Sequence, residues 1–585
     1  MSILNNALLL KKAADADPPA GDVVTKSLRF NAGDTPFLQR TTGTSSDQTK
    51  CTHSFWMKRS TLGANQRIFE GGSNAGFLMN GYSSSDEFRV NNNGPLAENT
   101  TTQLLRDTSA FYHICVSIDS ALSSADQLKL YINGTRVTSF SRTDSIETNQ
   151  ALNPSGTDAT IGKAYGDGEH FDGYLADYYM LDGVAAAATD FAEEDATTGQ
   201  WKPKAYSGSY GDNGFHLSFE EDSATSGSNA GIGKDVSGNG NYFNTTNLAS
   251  DVVNDTPTAN YCVLNALDYS GGATLAEGNL EYDTSGWNEI RGTMAVSSGK
   301  WYYEVYVDNF NTSSEAFSVG IAEVDGALQN TYWSASWDNA AYGRRYGVNL
   351  NSTTVSKIEG GSSSTISATI SNGDVISILL DLDSATTTLK FWVNGGSEQT
   401  LYSSLAAGTY AIGFNSYTAS LILNAGQDPT FAGNDPVGSP ATSEFAYTPT
   451  SGYKAWAASN LTPTIAKPSE HFTTVLYPGN DTDDTSIGGV GFQPDWTWIK
   501  QRNALRSHLL VDSVRGATKR LRSDSTVAED TFADGVQAFE SDGFQIGTNN
   551  TVNVGSGTYV AWNWKKSATA GFNIVGWTGD DDGMG

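Results

Sequence analysis

The sequence predicts an all-β protein made of tandem antiparallel β-sandwich domains of the jelly-roll type, joined by short linkers. Short segments alternate between apolar and polar residues with a period of two, which is typical of a strand with one buried face. Turn residues separate these segments, and the chain contains 61 glycines. Aromatic residues make up 11% of the chain, so large side chains are available for several cores. A chain of 585 residues has the length of roughly three to five domains.

Charge and cysteine content exclude several classes of function. The formal net charge is −30 and the pI is near 4.4, so no overall field attracts nucleic acid or an anionic membrane surface. No apolar run approaches the ~20 residues that a membrane-spanning helix needs. The three cysteines, Cys51, Cys115 and Cys262, are far apart and odd in number, so neither a disulfide framework nor a zinc site is expected. We therefore predict no nucleic-acid binding, no membrane insertion and no cofactor.

The first 25 residues are expected to form an arm outside the folded domains. A short apolar run ends in Lys11 and Lys12 without a cleavage site, so we expect no secretory signal and synthesis in a cytoplasm. Pro18 and Pro19 then prevent a continuous helix. Two interpretations stay open, an anchoring arm that orders against a partner and a frayed terminus.

Residues 26–250 are predicted to form the first sandwich, with a closing strand at residues 201–204 and 215–219 and a loop extension. Residues 128–134 alternate and end in Asn133-Gly134, the strongest short-range hairpin signal. This region resembles laminin-G-like domains of the concanavalin type. The segments that carry the resemblance, in the expected order, are residues 27–30, 54–57, 128–134, 159–162 and 171–177.

Residues 251–298 are expected to connect the first sandwich to a second one at residues 299–430. In the second region, Gly373-Asp374 predicts a tight turn before a buried apolar strand, and Asn394-Gly395 ends another alternating strand. The region resembles a SPRY domain, which implies two stacked antiparallel sheets. The matching segments are residues 298–307, 319–322, 373–376, 379–383, 389–395 and 424–427.

A linker is predicted at residues 431–468 and a third, β-rich module at residues 469–566. The third module resembles one that recurs in tail and other virion proteins of marine bacteriophages, where it follows laminin-G-like and SPRY-like units in this order. The pattern Phe472-x-x-Val475-x-x-x-Gly-[Asn/Asp]-Asp recurs 100 residues later, from Phe572. Residues 567–585 are therefore expected to begin a repeated module, in a polypeptide that continues beyond them.

No pattern for catalysis stands out, so the protein is not expected to be an enzyme. Glycosidases of jelly-roll fold need two carboxylates that face one bond, and a Glu-x-Asp-x-x-Glu strand is missing. Residues 190–195 are expected to form a short helix. The acidic runs at residues 193–195 and 220–222 place neighbouring side chains on different faces. A polysaccharide depolymerase is kept as a less favoured alternative.

The resemblance to laminin-G-like domains implies one candidate metal, a calcium ion at a loop rim. Asp167, Glu169 and Asp172 cluster in one predicted loop, and residues 580–582 are a second acidic group. Neither group has the fixed spacing of a known calcium loop. Solvated loop acids are the favoured interpretation, with calcium as the alternative.

An aromatic loop in the SPRY-like region is the candidate surface for a ligand or partner. SPRY-like domains bind partners through loops at one rim, and aromatic faces beside hydrogen-bond donors suit sugar rings or a protein. The alternative is packing in the core or at a subunit interface. The candidate residues are Tyr332, Trp333, Trp337, Tyr342, Arg344 and Arg345.

Taken together, the resemblances imply a bacteriophage virion structural protein, a tail fibre or similar appendage at the particle surface. Its implied partners are other virion proteins, through the N-terminal arm, and a host-surface glycan or protein receptor. Attachment would be multivalent and non-catalytic, and the resemblance to phage fibres implies a homotrimer. A head-decoration fibre or a collar or tail-assembly protein is the alternative within the same class.

Overall fold

The structure is a computed structural model that divides the chain into two compact units. The first comprises described residues up to 194 and from 200 to 461, and the second comprises residues 195–199 and those from 462 onward. The described residues are 24–72, 75–79, 86–91, 98–144, 146, 156–164, 166, 168–310, 316–328, 333, 343–351, 354–359, 362–438, 443–463 and 465–577. Most of the N-terminal arm and the end of the predicted repeat, residues 1–23 and 578–585, lie outside these ranges.

The first unit begins with a β-sandwich of two eight-stranded sheets. Its strands are β1 (Ser27–Phe30), β2 (Phe37–Thr41), β3 (Lys50–Arg59), β4 (Gln66–Gly71), β5 (Ala75–Met79), β6 (Glu87–Asn91), β7 (Glu98–Leu104), β8 (Tyr112–Asp119), β9 (Leu128–Ile132), β10 (Thr135–Arg136), β11 (Phe140–Thr143), β12 (Asp158–Ile161), β13 (Gly173–Asp182), β14 (Ala192–Glu194), β15 (Trp201–Pro203), β16 (Phe215–Leu217), β17 (Asn244–Thr246) and β18 (Val252–Val253).

The two sheets of this sandwich close over a common apolar core. Sheet A has the order β10-β9-β8-β3-β13-β1-β18, with β16 paired to β13, and sheet B has the order β11-β7-β6-β5-β4-β12-β2-β17. Phe55 from sheet A and Phe88 from sheet B lie in one buried cluster. The predicted turn joins β9 to β10, where Asn133 and Gly134 have φ values of 48° and 75°. These left-handed conformations are those of a two-residue hairpin whose twist matches its strands.

Residues 184–194 and 200–210 cover the outer face of sheet A, the face that points away from the sandwich core. A short helix was expected around residues 190–195, and this expectation is wrong. The chain makes one 3₁₀ turn, Ala188–Asp190, and then pairs β14 with β15 as a small antiparallel sheet. Phe191 and Ala192 pack against buried residues of the outer face, so tertiary packing decides this local structure.

A second sandwich completes the first unit. Its strands are β19 (Leu264–Tyr269), β20 (Ala273–Ala276), β21 (Glu281–Thr284), β22 (Asn288–Val296), β23 (Lys300–Phe310), β24 (Ala316–Glu323), β25 (Arg345–Asn351), β26 (Thr354–Glu359), β27 (Ser362–Thr365), β28 (Val375–Asp381), β29 (Thr388–Val393), β30 (Gln399–Ser403), β31 (Tyr410–Ser416), β32 (Ala419–Asn424) and β33 (Lys454–Ala455). One sheet has the order β19-β22-β31-β24-β25-β26-β27, and the other has the order β20-β21-β32-β23-β28-β29-β30, with β33 beside β23.

The two segments expected as linkers are parts of these sandwiches. Residues 251–298 contain β18, which pairs with β1, and β19 to β22, which belong to the second sandwich. In residues 431–468, β33 pairs in parallel with β23, and Trp456 is buried in the core of the second sandwich. These segments are polar and rich in turn residues, but each supplies strands or core side chains.

Buried polar contacts join the two sandwiches within the first unit. Arg29, on β1, is 1% exposed and contacts three carboxylates, those of Asp251 (3.3 Å), Glu277 (3.1 Å) and Asp428 (2.7 Å). The backbone N–H of Asn254 donates to the carbonyl of Gln427 at 2.8 Å. The sandwiches are therefore packed against each other in this unit.

The second unit contains the third β-rich module. Its strands are β34 (Phe472–Pro478), β35 (Thr485–Ile487), β36 (Trp496–Gln501), β37 (Leu509–Asp512), β38 (Gly516–Leu521), β39 (Asp530–Thr531), β40 (Val536–Glu540), β41 (Gly543–Ile546) and β42 (Thr558–Trp564). Six strands form one sheet in the order β34-β42-β36-β37-β38-β39, and three form another in the order β35-β41-β40. After β42, Ser567 and Phe572 make an isolated antiparallel bridge.

The all-β prediction is confirmed. In the described residues, regular structure outside the strands is limited to 3₁₀ turns. A search of the same residues finds no helix with the length and apolar character needed to cross a bilayer.

Candidate functional site

An aromatic cleft of about 130 Å³ opens on the outer face of sheet A and is the candidate functional site. It lies between β15, the loop before β8 and the chain entering the second sandwich. We call it the Trp201 cleft. The residues that line it are Trp56, Asp107, Ala110, Phe111, Tyr112, Asn133, Gln200, Trp201, Pro257 and Asn260.

The indole of Trp201 is fixed in place from two sides. Its Nε1–H donates to Nδ1 of His113 at 2.9 Å. Its ring lies against the β9–β10 turn, where a Cβ added to Gly134 would come within 2.9 Å of the ring atoms. Because Trp201 is half-buried and held in one position, it offers an aromatic surface at low entropic cost to a ligand.

His113 supports Trp201 as a neutral imidazole. An indole N–H only donates, so Nδ1 of His113 is the acceptor and Nε2–H donates to Oγ of Ser54 at 2.8 Å. Complete burial lowers the pKa of His113 to about 3. The ring of Trp56 lies 4.8 Å from the imidazole, between centroids. The hydrogen bond to Trp201 therefore persists through the neutral and mildly acidic range.

Polar groups converge at the base and rim of the cleft. At the base, the Oδ1 of Asn260 accepts a hydrogen bond from Nζ of Lys58 at 3.1 Å, and that ammonium pairs with Asp255 at 2.9 Å. The Nδ2 of Asn260 is buried and has no hydrogen-bond partner among the described residues. At the rim, the hydroxyl of Tyr112 accepts the backbone N–H of Asp107 at 2.9 Å, and burial raises its pKa to about 12.

This combination of groups suits binding better than bond cleavage. Aromatic walls with a few fixed amide and hydroxyl groups are typical of sites for flat, partly apolar, hydroxylated rings. Asp107 is the one carboxylate among the described residues that line the cleft. A paired-carboxylate mechanism needs a second acid facing the same bond. The buried Nδ2 of Asn260 has no hydrogen-bond partner among the described residues.

The aromatic loop predicted in the second sandwich is only partly described, and two of its residues are corrected. Trp333 is fully buried in the core. Arg345 is 1% exposed because its guanidinium pairs with the buried carboxylate of Glu289, at 2.6 and 2.8 Å. Neither side chain is therefore available to a ligand.

Arg344 is the described residue of that loop with an exposed side chain. It is 39% exposed and pairs with Glu323 at 3.1 Å. Tyr332, Trp337 and Tyr342 lie outside the described residues.

The described acids of the predicted calcium loop are engaged within the protein. Glu169 pairs with Arg67 at 3.1 Å. Asp172 is largely buried and accepts a hydrogen bond from the hydroxyl of Thr61. Among the described residues, no three His, Cys, Asp or Glu side chains are grouped to hold a metal ion. Asp167 and residues 580–582 lie outside the described part of the chain.

The sequence did not identify the Trp201 cleft, although it marked two of its elements. Asn133-Gly134 was recognised as a hairpin turn, and residues 201–204 were interpreted as part of a closing region. Trp56 lies on β3 and Phe111 directly precedes β8, and the pairing of these two strands brings them together.

Three parts of the chain match known domain families. Residues 33–189 match the concanavalin A-like lectin/glucanases superfamily, residues 300–428 match the SPRY domain, and residues 467–581 match a domain of unknown function (DUF7483). The predicted laminin-G-like and SPRY resemblances are confirmed. The chain therefore combines a region similar to concanavalin A-like lectins and glucanases with a region similar to SPRY domains. A comparison with curated proteins gave no significant match.

Solved structures similar to this chain cover single parts of it. The SPRY domain of human HERC1 is 15% identical, with 27% of this chain and 96% of that chain covered and a TM-score of 0.22. The PSpry domain of TRIM65 is 14% identical, covering 28% and 91%, with a TM-score of 0.21. A protein of Bacteroides ovatus described as carbohydrate-binding is 15% identical, covering 38% and 57%, with a TM-score of 0.27.

Proposed function

We propose that this protein is a bacteriophage virion structural protein, a tail fibre or similar appendage, that attaches to the host surface by multivalent, non-catalytic binding. The ligand class that we propose for the Trp201 cleft is a surface glycan. Two observations support this proposal: the order of the three modules along the chain, and the groups that line the Trp201 cleft.

The order of the modules supports the virion part of the proposal. A concanavalin A-like domain, a SPRY domain and a third β-rich module follow each other along the chain. The sequence resemblance is to phage virion proteins that carry these units in the same order. The N-terminal arm is the proposed attachment to other virion proteins, and a homotrimer is the proposed assembly.

The Trp201 cleft is the single observation that carries the binding part of the proposal. Trp201 presents a fixed indole, and the buried Nδ2 of Asn260 is a donor without a partner among the described residues. A sugar ring has both an apolar face and hydroxyl acceptors, so it satisfies both groups. One such site binds weakly, but several copies on one particle gain avidity through effective concentration.

Attachment of labelled protein to host cells tests the binding role. Trp201→Ala removes the aromatic wall, and we expect it to reduce attachment of the full chain at least about tenfold, since truncation of a central aromatic residue costs ~2 kcal/mol or more. Trp577→Ala is the matched control, because Trp577 is 85% exposed and belongs to the second unit. Equal attachment of both variants and the wild type contradicts the proposed role of the cleft.

Labelling of intact particles tests the location. Antibodies against the protein should decorate the tail or its appendages in electron micrographs. Decoration of capsid faces instead favours a head-decoration fibre, and decoration of host cells without particles contradicts the virion assignment.

Incubation with host surface polysaccharide tests the non-catalytic part. We expect the polysaccharide to keep its chain length after prolonged incubation with the full chain. Release of defined oligosaccharides identifies a depolymerase and overturns this part of the proposal.

A further inference from the structure

A β-bulge in a central strand of sheet A places an unusual acid on the outer face. The pairing of β13 with β3 shifts between Ala176 and Tyr179, so β13 carries one extra residue at this point. Asp177, within the bulge, has a φ of 50°. This left-handed conformation costs a non-glycine residue of order 1 kcal/mol. Strain of this kind often marks a position where the surrounding structure holds a functional group in place.

The bulge brings Asp177 into contact with a histidine and a tyrosine. Nε2 of His216 lies 2.7 Å from Oδ1 of Asp177, and Asp177 is only 7% exposed. His216 lies opposite Tyr179 in the pairing of β13 with β16, and their rings stack at 3.9 Å with an interplanar angle of 13°. Burial and the neighbouring Asp177 carboxylate raise the pKa of Tyr179.

These three side chains line a cleft of about 150 Å³, separate from the Trp201 cleft. We call it the His216 cleft. Lys204, Ser218 and Glu220 also line it. Nδ1 of His216 makes no hydrogen bond to a described residue. The imidazole is therefore held through Nε2 and keeps its second nitrogen for a ligand.

The mixture of charges in the His216 cleft selects a class of ligand. The carboxylates of Asp177 and Glu220 disfavour an anion, and the ammonium of Lys204 disfavours a cation. Carboxylate, imidazole, hydroxyl and ammonium groups together supply acceptors and donors to alternating hydroxyls. The stacked pair of His216 and Tyr179 supplies a flat wall. A neutral, hydroxylated ring satisfies these groups.

We propose that the His216 cleft is a second carbohydrate-binding site, which recognises a neutral sugar ring through Asp177, His216 and Tyr179. This inference rests on the proposed function and extends it, because each chain then carries two sugar sites on one face of the first sandwich. The two clefts lie on either side of β15, since Gln200 and Trp201 line one, and Pro203 and Lys204 line the other. Two sites per chain raise the valency of any assembly of chains.

Sugar binding by the full chain tests the second site. The probes are glucose, galactose, mannose, rhamnose and N-acetylglucosamine, screened by saturation-transfer NMR and followed for any binder by calorimetric titration. We expect at least one sugar to bind the wild type at a site that survives Trp201→Ala. His216→Gln should weaken that binding about tenfold, because the hydrogen bond between the His216 imidazole and the sugar is lost. Combining His216→Gln with Trp201→Ala should leave only this weakened binding.

Two further variants keep the test independent of misfolding. Asp177→Asn retains a side chain that tolerates the left-handed conformation, so the bulge should remain while the carboxylate is lost. Glu221→Gln is the control, because Glu221 pairs with Lys234 outside the cleft. Unchanged unfolding temperatures with weakened sugar binding in Asp177→Asn, but not in Glu221→Gln, support the site.

The outcomes separate the second site from the proposed function. If Trp201→Ala alone removes all sugar binding, or if no probe binds the wild type, the second site is overturned. Loss of host-cell attachment in Trp201→Ala then still supports the proposed function. If wild-type protein fails to attach to host cells while a sugar binds in a way that His216→Gln weakens, the proposed function fails and the site stands.

Discussion

At the scale of single residues, a buried histidine positions the aromatic wall of the candidate site. His113 is fully buried and bridges Oγ of Ser54 to the indole of Trp201. Its pKa of about 3, lowered by burial from an ordinary value of 6.5, keeps the ring neutral across the range in which an exposed histidine titrates. The wall of the Trp201 cleft therefore depends on a residue that we do not expect to touch the ligand.

Replacement of His113 by phenylalanine should weaken both folding and binding. His113→Phe leaves the N–H of Trp201 without its acceptor, and the expected loss of stability at pH 7 is about 1–3 kcal/mol. In the wild type, the unfolded chain takes up a proton on His113 below pH 6.5 while the folded chain does not until about pH 3. This proton uptake lowers the free energy of unfolding of the wild type by ~1.4 kcal/mol for each pH unit below 6.5. The His113→Phe variant has no such loss. The difference in the free energy of unfolding between the wild type and the variant should therefore narrow from pH 7 to pH 5, which scanning calorimetry measures. A difference that widens with acidity contradicts the neutral state of His113.

At the scale of elements, the β9–β10 turn has a second role beside joining two strands. Gly134 has a φ of 75° and lies directly under the ring of Trp201. A tight two-residue turn allows the indole to approach the backbone, because a side chain at this position would fill the same space. The two residues of this turn thus also contribute to the cleft: Asn133 lines it, and Gly134 contacts the ring of Trp201.

Gly134→Ala separates this contact from ordinary turn strain. The added methyl group would lie 2.9 Å from the ring of Trp201, so the indole must move and glycan binding should fall. Gly156→Ala is the matched control, because Gly156 has a φ of 70° but its Cβ would meet no atom within 4 Å. Both variants should lose about 1 kcal/mol of stability through the left-handed conformation. Equal binding by the two variants, measured by titration, contradicts a positioning role for the turn.

The elements that the sequence predicted are those with a local signal. The Asn-Gly turns at residues 133 and 394 have positive φ values at both positions, as the dipeptide predicts. The helix predicted at residues 190–195 is wrong, since Ala192 and the two glutamates favour a helix but packing on sheet A makes Ala192–Glu194 a strand. The extra residue at Asp177 has no sequence signal, because a bulge is set by the pairing of two strands.

At the scale of the whole molecule, the first unit combines two sandwiches that share buried charges. Arg29 of the first sandwich faces Asp251, Glu277 and Asp428, so one cation meets three acids in a nearly dry environment. Burial raises the pKa of Asp251 to about 6, and Arg29 opposes this rise. The sequence could not predict this interface, because its residues lie up to 399 positions apart and two of them, Asp251 and Glu277, fall in the segment expected to be a connection.

Removal of the shared cation should destabilise the first unit in a pH-dependent manner. Arg29→Met leaves buried carboxylates without their partner, and the expected cost at pH 8 is about 3–5 kcal/mol. A raised pKa means that the folded state holds a proton on Asp251 that is lost as the pH rises through about 6. The cost of Arg29→Met should therefore be smaller at pH 5 than at pH 8 in chemical denaturation. Arg136→Met is the control, because its pair with Asp126 is exposed and contributes below ~1 kcal/mol. A larger cost of Arg29→Met at pH 5 than at pH 8 contradicts the raised pKa of Asp251.

The most direct test of the account is equilibrium binding of the purified full chain to purified host surface polysaccharide, with Trp201→Ala and Trp577→Ala measured beside the wild type. We expect saturable binding by the wild type and Trp577→Ala, at least about tenfold weaker binding by Trp201→Ala, and no shortening of the polysaccharide. Equal binding by all three proteins, or polysaccharide cleaved into fragments, would contradict it.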